Sequence, residues 1–340
     1  MEKNLQRQSL KIPSLSEGSN TPAAHALVAN LRLPVVGSPM FIVSSWQLVA
    51  AQCCAGVIGA FPALNARPRE ELPRWLECIE ERRRQWNASS PAWPAAPCAV
   101  NLIVHPSNAR LAPDLDVVCA HQVPLVITSL NAPGAVVERV HAYGGLVLAD
   151  VSSMRHARKA IDAGVDGLIL VCAGAGGHTG TLNPLAFTDE VRRVFDGLVA
   201  VAGCIAHGRQ IVAVQAMGAD LAYVGTRFIA TPEANVDARY RQMLVDADAA
   251  DIVNTNAVTG LHANYLRESF NALGLDPDRL APREKSSFSF GTRGDGTQAK
   301  AWRDIWSAGQ GVGVIDSVMP AADVVARMAR EYAAARVALR

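Results

Sequence analysis

Along the chain, short runs dense in Val, Ile, Leu and Ala alternate with segments whose apolar residues recur at three- and four-residue spacing. The runs cover residues 33–40, 56–61, 98–104, 124–130, 145–151, 166–172, 198–203 and 220–225. They lack the strict apolar/polar alternation of a half-exposed strand and read as strands buried on both faces, the signature of a parallel sheet. Helical spacing fills the stretches between them at 70–85, 135–143, 154–163 and 209–217. Gly164 and Gly218, each just past such a segment, fit the left-handed position that closes a helix. Eight strand–helix units predict an α/β chain closed into a (β/α)8 barrel, a TIM barrel.

After the eighth run the pattern changes. Residues 232–313 read as helices and loops inserted over the barrel mouth, with the polar, glycine-bearing stretch 286–298 expected to be its most flexible part. From 321 to about 339, Val324, Val325, Met328 and Tyr332 fall at helical spacing and predict a last helix packing back on the barrel. The expected organisation is a polar, Ser-rich extension over 1–30, a barrel over 31–231, the insertion over 232–313 and the closing helix within 314–340.

Composition narrows the function classes. Of 340 residues half are hydrophobic and 19% charged, which supports a large core, and the formal net charge of +1 gives no electrostatic pull toward nucleic acid or an anionic membrane. Glutamates at 77, 80 and 81 precede Arg82, Arg83 and Arg84, so that basic cluster reads as a solvated helix face. Of the seven cysteines, Cys53 and Cys54 fall in an apolar helix-like run and Cys98 and Cys172 in strand-like runs, and none has metal-ligand spacing, which predicts reduced thiols, no bound metal and a cytoplasmic setting. The first thirty residues lack the apolar core of a signal peptide, and no apolar run approaches the ~18 residues of a membrane span. Nothing in the composition fixes the oligomeric state, and a homo-oligomer is compatible with it.

The chemistry concentrates after the sixth run. Residues 173–180 read Ala-Gly-Ala-Gly-Gly-His-Thr-Gly, placing Ala175, Gly176, Gly177 and His178 at the carboxyl end of a strand, where barrels carry their active sites. Glycines there predict close backbone approach to a flat ligand, and His178 supplies a proton-transfer group. A dinucleotide fingerprint fails because Thr179 stands where its third glycine is required and because Thr181-Leu182-Asn183-Pro184 follows where a helix should begin at once. No Walker loop is present. The loops after the last two barrel runs carry Gly203-Cys204 and Gly225-Thr226, at the positions where barrels often bind phosphate through backbone N–H groups.

Taken in order, Ser38-Pro39-Met40, Asn101, Gly176-Gly177-His178, Gly225-Thr226-Arg227-Phe228 and the stretch from Ala301 to Gln310 make the chain resemble the nitronate monooxygenases. These are FMN-dependent barrel enzymes, formerly called 2-nitropropane dioxygenases. The resemblance spans about 33–335, and two of its motifs are shared with NADH:quinone reductases and FMN-dependent enoyl-carrier-protein reductases. It implies FMN as cofactor, with Ser38, Pro39, Met40, Asn101, Ala175, Gly176 and Gly177 around the ring system and Gly203, Cys204, Gly225 and Thr226 on the phosphate. It implies His178 as catalytic base or substrate-orienting group. The implied substrates are alkyl nitronates, with nitroalkanes as a second class, reacting with O2 to give a carbonyl compound and nitrite.

Two departures stand out. Cys204 occupies a place where the family commonly has glycine, and Asp150 occupies one where some members carry a flavin-contacting lysine. His207, just past the phosphate loop, is a candidate for a more distant flavin contact. His25, His105, His121, His141, His156 and His262 lack a partner pattern and read as packing or surface residues. Trp302 and Trp306 at helical spacing also read as packing. Two alternatives share the scaffold or part of it: a reductase passing NAD(P)H electrons to a quinone or an enoyl thioester, and a non-catalytic flavin- or phosphate-binding protein.

Overall fold

A computed structural model describes residues 22–90, 93–283 and 303–339. The expected flexible stretch 286–298, Trp302 and most of the 1–30 extension lie outside the described residues. Eight parallel strands form one sheet: β1 (Val35–Gly37), β2 (Gly59–Pro62), β3 (Cys98–Ile103), β4 (Leu125–Ser129), β5 (Leu146–Val151), β6 (Gly167–Val171), β8 (Leu198–Ala202) and β9 (Leu221–Val224). Their spatial order is β1-β9-β8-β6-β5-β4-β3-β2. A parallel bridge between Val36 and Ile58, with Gly37 N–H donating to Ile58 O at 2.7 Å, joins the two ends and closes the barrel.

The helices follow the strands. They are α1 (Pro22–Ala29), α2 (Trp46–Ala55), α3 (Glu71–Ser89), α4 (Leu111–Ala120), α5 (Gly134–His141), α6 (Met154–Asp162), α7 (Pro184–Arg192), α8 (Gly208–Ala216), α9 (Thr226–Ile229), α10 (Ala238–Asp246), α11 (Arg267–Asn271) and α12 (Ala321–Ala338). Gly164 and Gly218 adopt φ of +81° and +99°, the left-handed closures expected of them. Alternate strand residues build two cores. Val36, Ile58, Leu125, Ile127, Leu148, Ile169, Ala200 and Leu221 fill the barrel lumen, while Val35, Val100, Val126, Val147, Leu168 and Val199 pack outward under the helices. Double-sided burial is therefore why these runs show no alternation. Ala24, Leu27 and Val28 of α1 pack against the lumen residues. That helix precedes β1 directly, so it covers the end where the strands begin, although polar composition assigns it to an extension.

One element corrects the reading of 232–313 as helices and loops. Two strands, β10 (Ile252–Thr255) and β11 (Ala263–Leu266), form a small antiparallel sheet with β7 (Gly177–His178). Ala263 pairs with His178 and Asn264 with Gly177. Four-residue strands with no apolar run carry too little periodicity to be seen in sequence. Helix α12 runs over α8 and α2. The contact is close: a Cβ on Gly208 would come within 2.3 Å of Met328 O, and Tyr332 donates its hydroxyl to Gln215 Oε1 at 2.7 Å.

Candidate active site

The loop after β6 is held by chain that arrives much later. Gly174 and Gly177 take φ of +84° and +71°, conformations in which a side chain is strained. Gly176 has another constraint, since a Cβ there would lie 2.8 Å from Gly309 N and 3.0 Å from Ala308 C. A Cβ on Gly174 would meet Cys204 Sγ and Gln310 Oε1. The bare edges at 174 and 176 thus admit the 308–311 segment and Cys204, which refines the expectation that they open onto a ligand. Gln310 N–H donates to Gly174 O at 2.9 Å, and Gly309 N–H donates to Thr226 Oγ1 at 2.9 Å. On the other side Asn264 Nδ2 donates to Ala175 O at 2.7 Å.

These contacts gather Ala175, Gly176, Cys204 and Thr226 around one loop. Among the described residues, the backbone N–H groups of Cys204, Gly225 and Thr226 donate to no acceptor in the chain. Thr226 Oγ1 accepts from Gly309, so its own O–H stays able to donate outward. Gly203 has φ of +133° and Cys204 of +58°, both left-handed. Glycine is the easy residue at such a φ, and Cys204 occupies it with strain. Arg227 is buried and donates Nη1 to Ser317 O at 3.3 Å, tying the motif to the chain that leads into α12.

Across the mouth, Ser38 and Met40 approach Gly225. A Cβ on that glycine would sit 3.4 Å from Ser38 Cβ and 3.6 Å from Met40 Sδ. Pro39 lies half-buried between them. Asn65 fixes this loop by donating Nδ2 to Met40 O and Ser44 O, each at 2.9 Å, and accepting from Ile42 N–H at 2.9 Å. Ile42 holds φ of +67°, a costly conformation for a β-branched residue.

A polar chain lines the ends of β3, β4 and β5. Asn101 donates Nδ2 to Ser129 Oγ at 2.8 Å and to Ile127 O at 3.2 Å, and Ser129 donates to Asp150 Oδ2 at 2.6 Å. Both donors of Asn101 are therefore committed, leaving its Oδ1 as the atom able to meet a ligand. Asp150 Oδ1 and the Tyr223 hydroxyl are shielded from solvent and have no hydrogen-bond partner among the described residues. Burial pushes the Asp150 carboxyl up to about 6, against the pull of Ser129. The Tyr223 phenol is pushed well above its usual range, first by burial and then by the Asp150 carboxylate, with the Ser38 side chain pulling the other way.

His178 stands on β7. Its Nε2 is 3.2 Å from Thr259 Oγ1, whose hydroxyl in turn reaches Leu261 O at 3.2 Å. Burial pulls the imidazole down to about 4, so the ring is neutral near pH 7. His207 is a helix cap: its Nδ1 accepts from Arg209 N–H at 3.1 Å and its Nε2 lies 3.3 Å from Glu331. Trp306 stacks on Tyr240 with ring centroids 4.9 Å apart, the packing role expected of it. Sequence reasoning missed Tyr223, Ser129, Thr259, Asn264 and Gly309. The first two carried no motif, and the others approach the loop from more than 80 residues away.

The matching family model is that of nitronate monooxygenase, over residues 95–331. A nitronate monooxygenase of Paraburkholderia phytofirmans is 28% identical over 337 residues, covering 88% of this chain and 92% of that protein. A Mycobacterium tuberculosis relative is 32% identical over 243 residues, and the match spans 67% of this chain but only 64% of that relative. Among solved structures, a nitroalkane oxidase from Streptomyces ansochromogenes superposes with a TM-score of 0.70 at 28% identity, covering 93% of this chain and all (100%) of that one. The FabK protein of Thermotoga maritima shares the fold, with a TM-score of 0.73 at 23% identity over 92% of this chain and 96% of its own. Among the described residues no helix is long and apolar enough to cross a membrane.

Proposed function

The chain belongs to the nitronate monooxygenase family of oxidoreductases, and from that premise we propose that it is an FMN-dependent enzyme oxidising alkyl nitronates with O2 to a carbonyl compound and nitrite. The observation that carries this reading is the meeting, at one barrel mouth, of uncommitted N–H groups on Cys204, Gly225 and Thr226 with the shielded Asp150 Oδ1 and Tyr223 hydroxyl and a half-buried imidazole. That donor set fits a ligand with an anionic phosphate at one end and a flat, hydrogen-bonding ring at the other. FMN, when bound, supplies the redox chemistry; the protein supplies orientation and proton control.

In this reading Cys204, Gly225 and Thr226 hold the phosphate through backbone N–H groups, with the Thr226 hydroxyl as a further donor. Ser38, Pro39, Met40, Asn101, Ala175, Gly176 and Gly177 frame the ring. His178 faces the substrate. Abstracting a proton from a neutral nitroalkane would create an imidazolium that burial disfavours. A preformed nitronate needs no such step, and its negative charge raises the ring's affinity for a proton only once the substrate is in place. Nitronates therefore rank ahead of nitroalkanes, with Thr259 fixing the ring by accepting its Nε2–H.

An anaerobic spectral titration of the purified full chain tests this, first with a nitronate and then with NADH. Bleaching of a flavin band by the nitronate is the expected result. Rapid reduction by NADH with slow nitronate turnover would replace it with the reductase reading on the same scaffold. A colourless protein that stays so after incubation with FMN would remove flavin altogether.

A further inference from the structure

Two polar groups, on β5 and β9, are shielded at the lumen with no hydrogen bond between them. Asp150 is the penultimate residue of β5 and Tyr223 lies on β9, and in the barrel order two strands, β6 and β8, separate them on the shorter way round. Tyr223 belongs to the lumen core, and its hydroxyl is close enough to Asp150 for the carboxylate to act on it electrostatically. Asp150 Oδ1 has no hydrogen-bond partner among the described residues, the Tyr223 hydroxyl has only the Ser38 side chain near it and no bond of good geometry, and both atoms are shielded from solvent. Native proteins leave few such groups, because each costs the desolvation it suffered. The other Asp150 oxygen is fixed by Ser129, itself fixed by Asn101, so Oδ1 cannot swing away to water. A held acceptor beside a donor makes a two-point reader.

We propose that Asp150 and Tyr223 together read the imide edge of the flat heterocycle bound at this mouth, Asp150 Oδ1 accepting its ring N–H and the Tyr223 hydroxyl donating to the adjoining ring carbonyl. The inference rests on the FMN reading above. An oxidised flavin carries a single ring N–H, flanked by two carbonyls, and that N–H needs an acceptor. A lysine, which some members of the family place here, offers only donors and can address the ring's carbonyls and bare nitrogens but not its N–H. Asp150 reverses that polarity. The pair acts as a positioning and selectivity device for the ring and takes no part in proton or electron transfer.

The test compares FMN with FMN methylated at that ring nitrogen, by fluorescence titration of the flavin-stripped full chain. The expected result is binding of the methylated analogue about 10- to 100-fold weaker than FMN, as for loss of a hydrogen bond to a charged group. In Asp150→Ala and in the similarly bulky Asp150→Leu the two ligands should bind within about twofold of each other. Tyr223→Phe should weaken both ligands about 3- to 20-fold while leaving their ratio unchanged. Equal affinities in the unaltered chain would overturn the proposal, even if every variant failed to fold. A preference that persists in Asp150→Leu would also overturn it, by showing that bulk and not the acceptor discriminates. Failure of the unaltered chain to bind either ligand would instead bring down the FMN reading, and this inference with it.

Discussion

Nε2 of His178 and the hydroxyl of Thr259 lie 3.2 Å apart, joining β7 to a loop 81 residues further along the chain. Because the Thr259 hydroxyl also reaches Leu261 O, its oxygen is placed to accept the imidazole N–H and so fix the tautomer. Thr259→Val should lower kcat/KM for a nitronate about 3- to 10-fold through a misoriented ring, and Thr259→Ser should retain activity. Replacing the ring itself has a larger effect. His178→Asn is expected to lose about 10²–10⁴-fold, the range of a proton-handling group, in steady-state assays with both nitronate and nitroalkane.

The depressed imidazole also shapes the pH profile. With His178 at about 4, the free enzyme's kcat/KM for a nitronate should show no histidine inflection between about pH 5.5 and 8. An inflection near 6.5 that disappears in His178→Asn would contradict the burial described for this ring.

Cys204 pays a conformational penalty that glycine would not, its φ being +58°. Left-handed backbone costs an L-residue about 1–2 kcal/mol, against which glycine loses about 0.5–1 kcal/mol more chain entropy on folding. Cys204→Gly should therefore be neutral to about 1 kcal/mol stabilising in thermal unfolding. Its backbone N–H is preserved, so FMN affinity should change by less than about threefold. A marked loss of FMN would mean that the thiol itself contributes to the site.

Asn65 makes three hydrogen bonds to the backbone of the 40–44 loop. Asn65→Ala should cost about 2–4 kcal/mol, each bond contributing about 1 kcal/mol, and should loosen Met40. Denaturant unfolding checks the stability. Hydrogen exchange at Ile42 N–H, which should quicken, separates a local opening from a global one.

The barrel was legible because its strands are buried on both faces: Leu146–Val151 and Leu198–Ala202 show apolar runs that little else produces. The Gly-Gly-His and Gly-Thr-Arg-Phe motifs were legible for a related reason, since φ values and close approaches restrict those positions locally. What holds them was not. Gly309 packs against Gly176, and Asn264 bonds to Ala175, through contacts between segments 89 to 133 residues apart, for which one sequence gives no spacing rule. Strands β10 and β11 stayed hidden because four-residue strands on an insertion carry no periodicity of their own. Asp150 was visible as a departure from the family, but its partner Tyr223 reads as one more strand aromatic until the barrel closes.

Closure also sets two titrations against each other. Burial raises Asp150 from 3.8 to about 6, so the folded state holds its proton more tightly than the unfolded chain. Its contribution is most favourable below about pH 4 and is lost as pH rises through 6. His178 is lowered from 6.5 to about 4, so its contribution is complete above about 6.5 and is lost as pH falls toward 4. Each shift corresponds to up to about 3 kcal/mol, and between pH 4 and 6.5 the two act in opposite directions. Flavin-stripped protein should therefore show a flatter stability curve across this window than either variant. Asp150→Asn should leave the histidine unopposed, so stability climbs with pH. His178→Asn should leave the carboxyl unopposed, so stability declines as pH rises. Parallel denaturant titrations of the three proteins between pH 4 and 7 would expose the crossing, and variant curves of equal slope would show that the barrel mouth shifts neither group in this way.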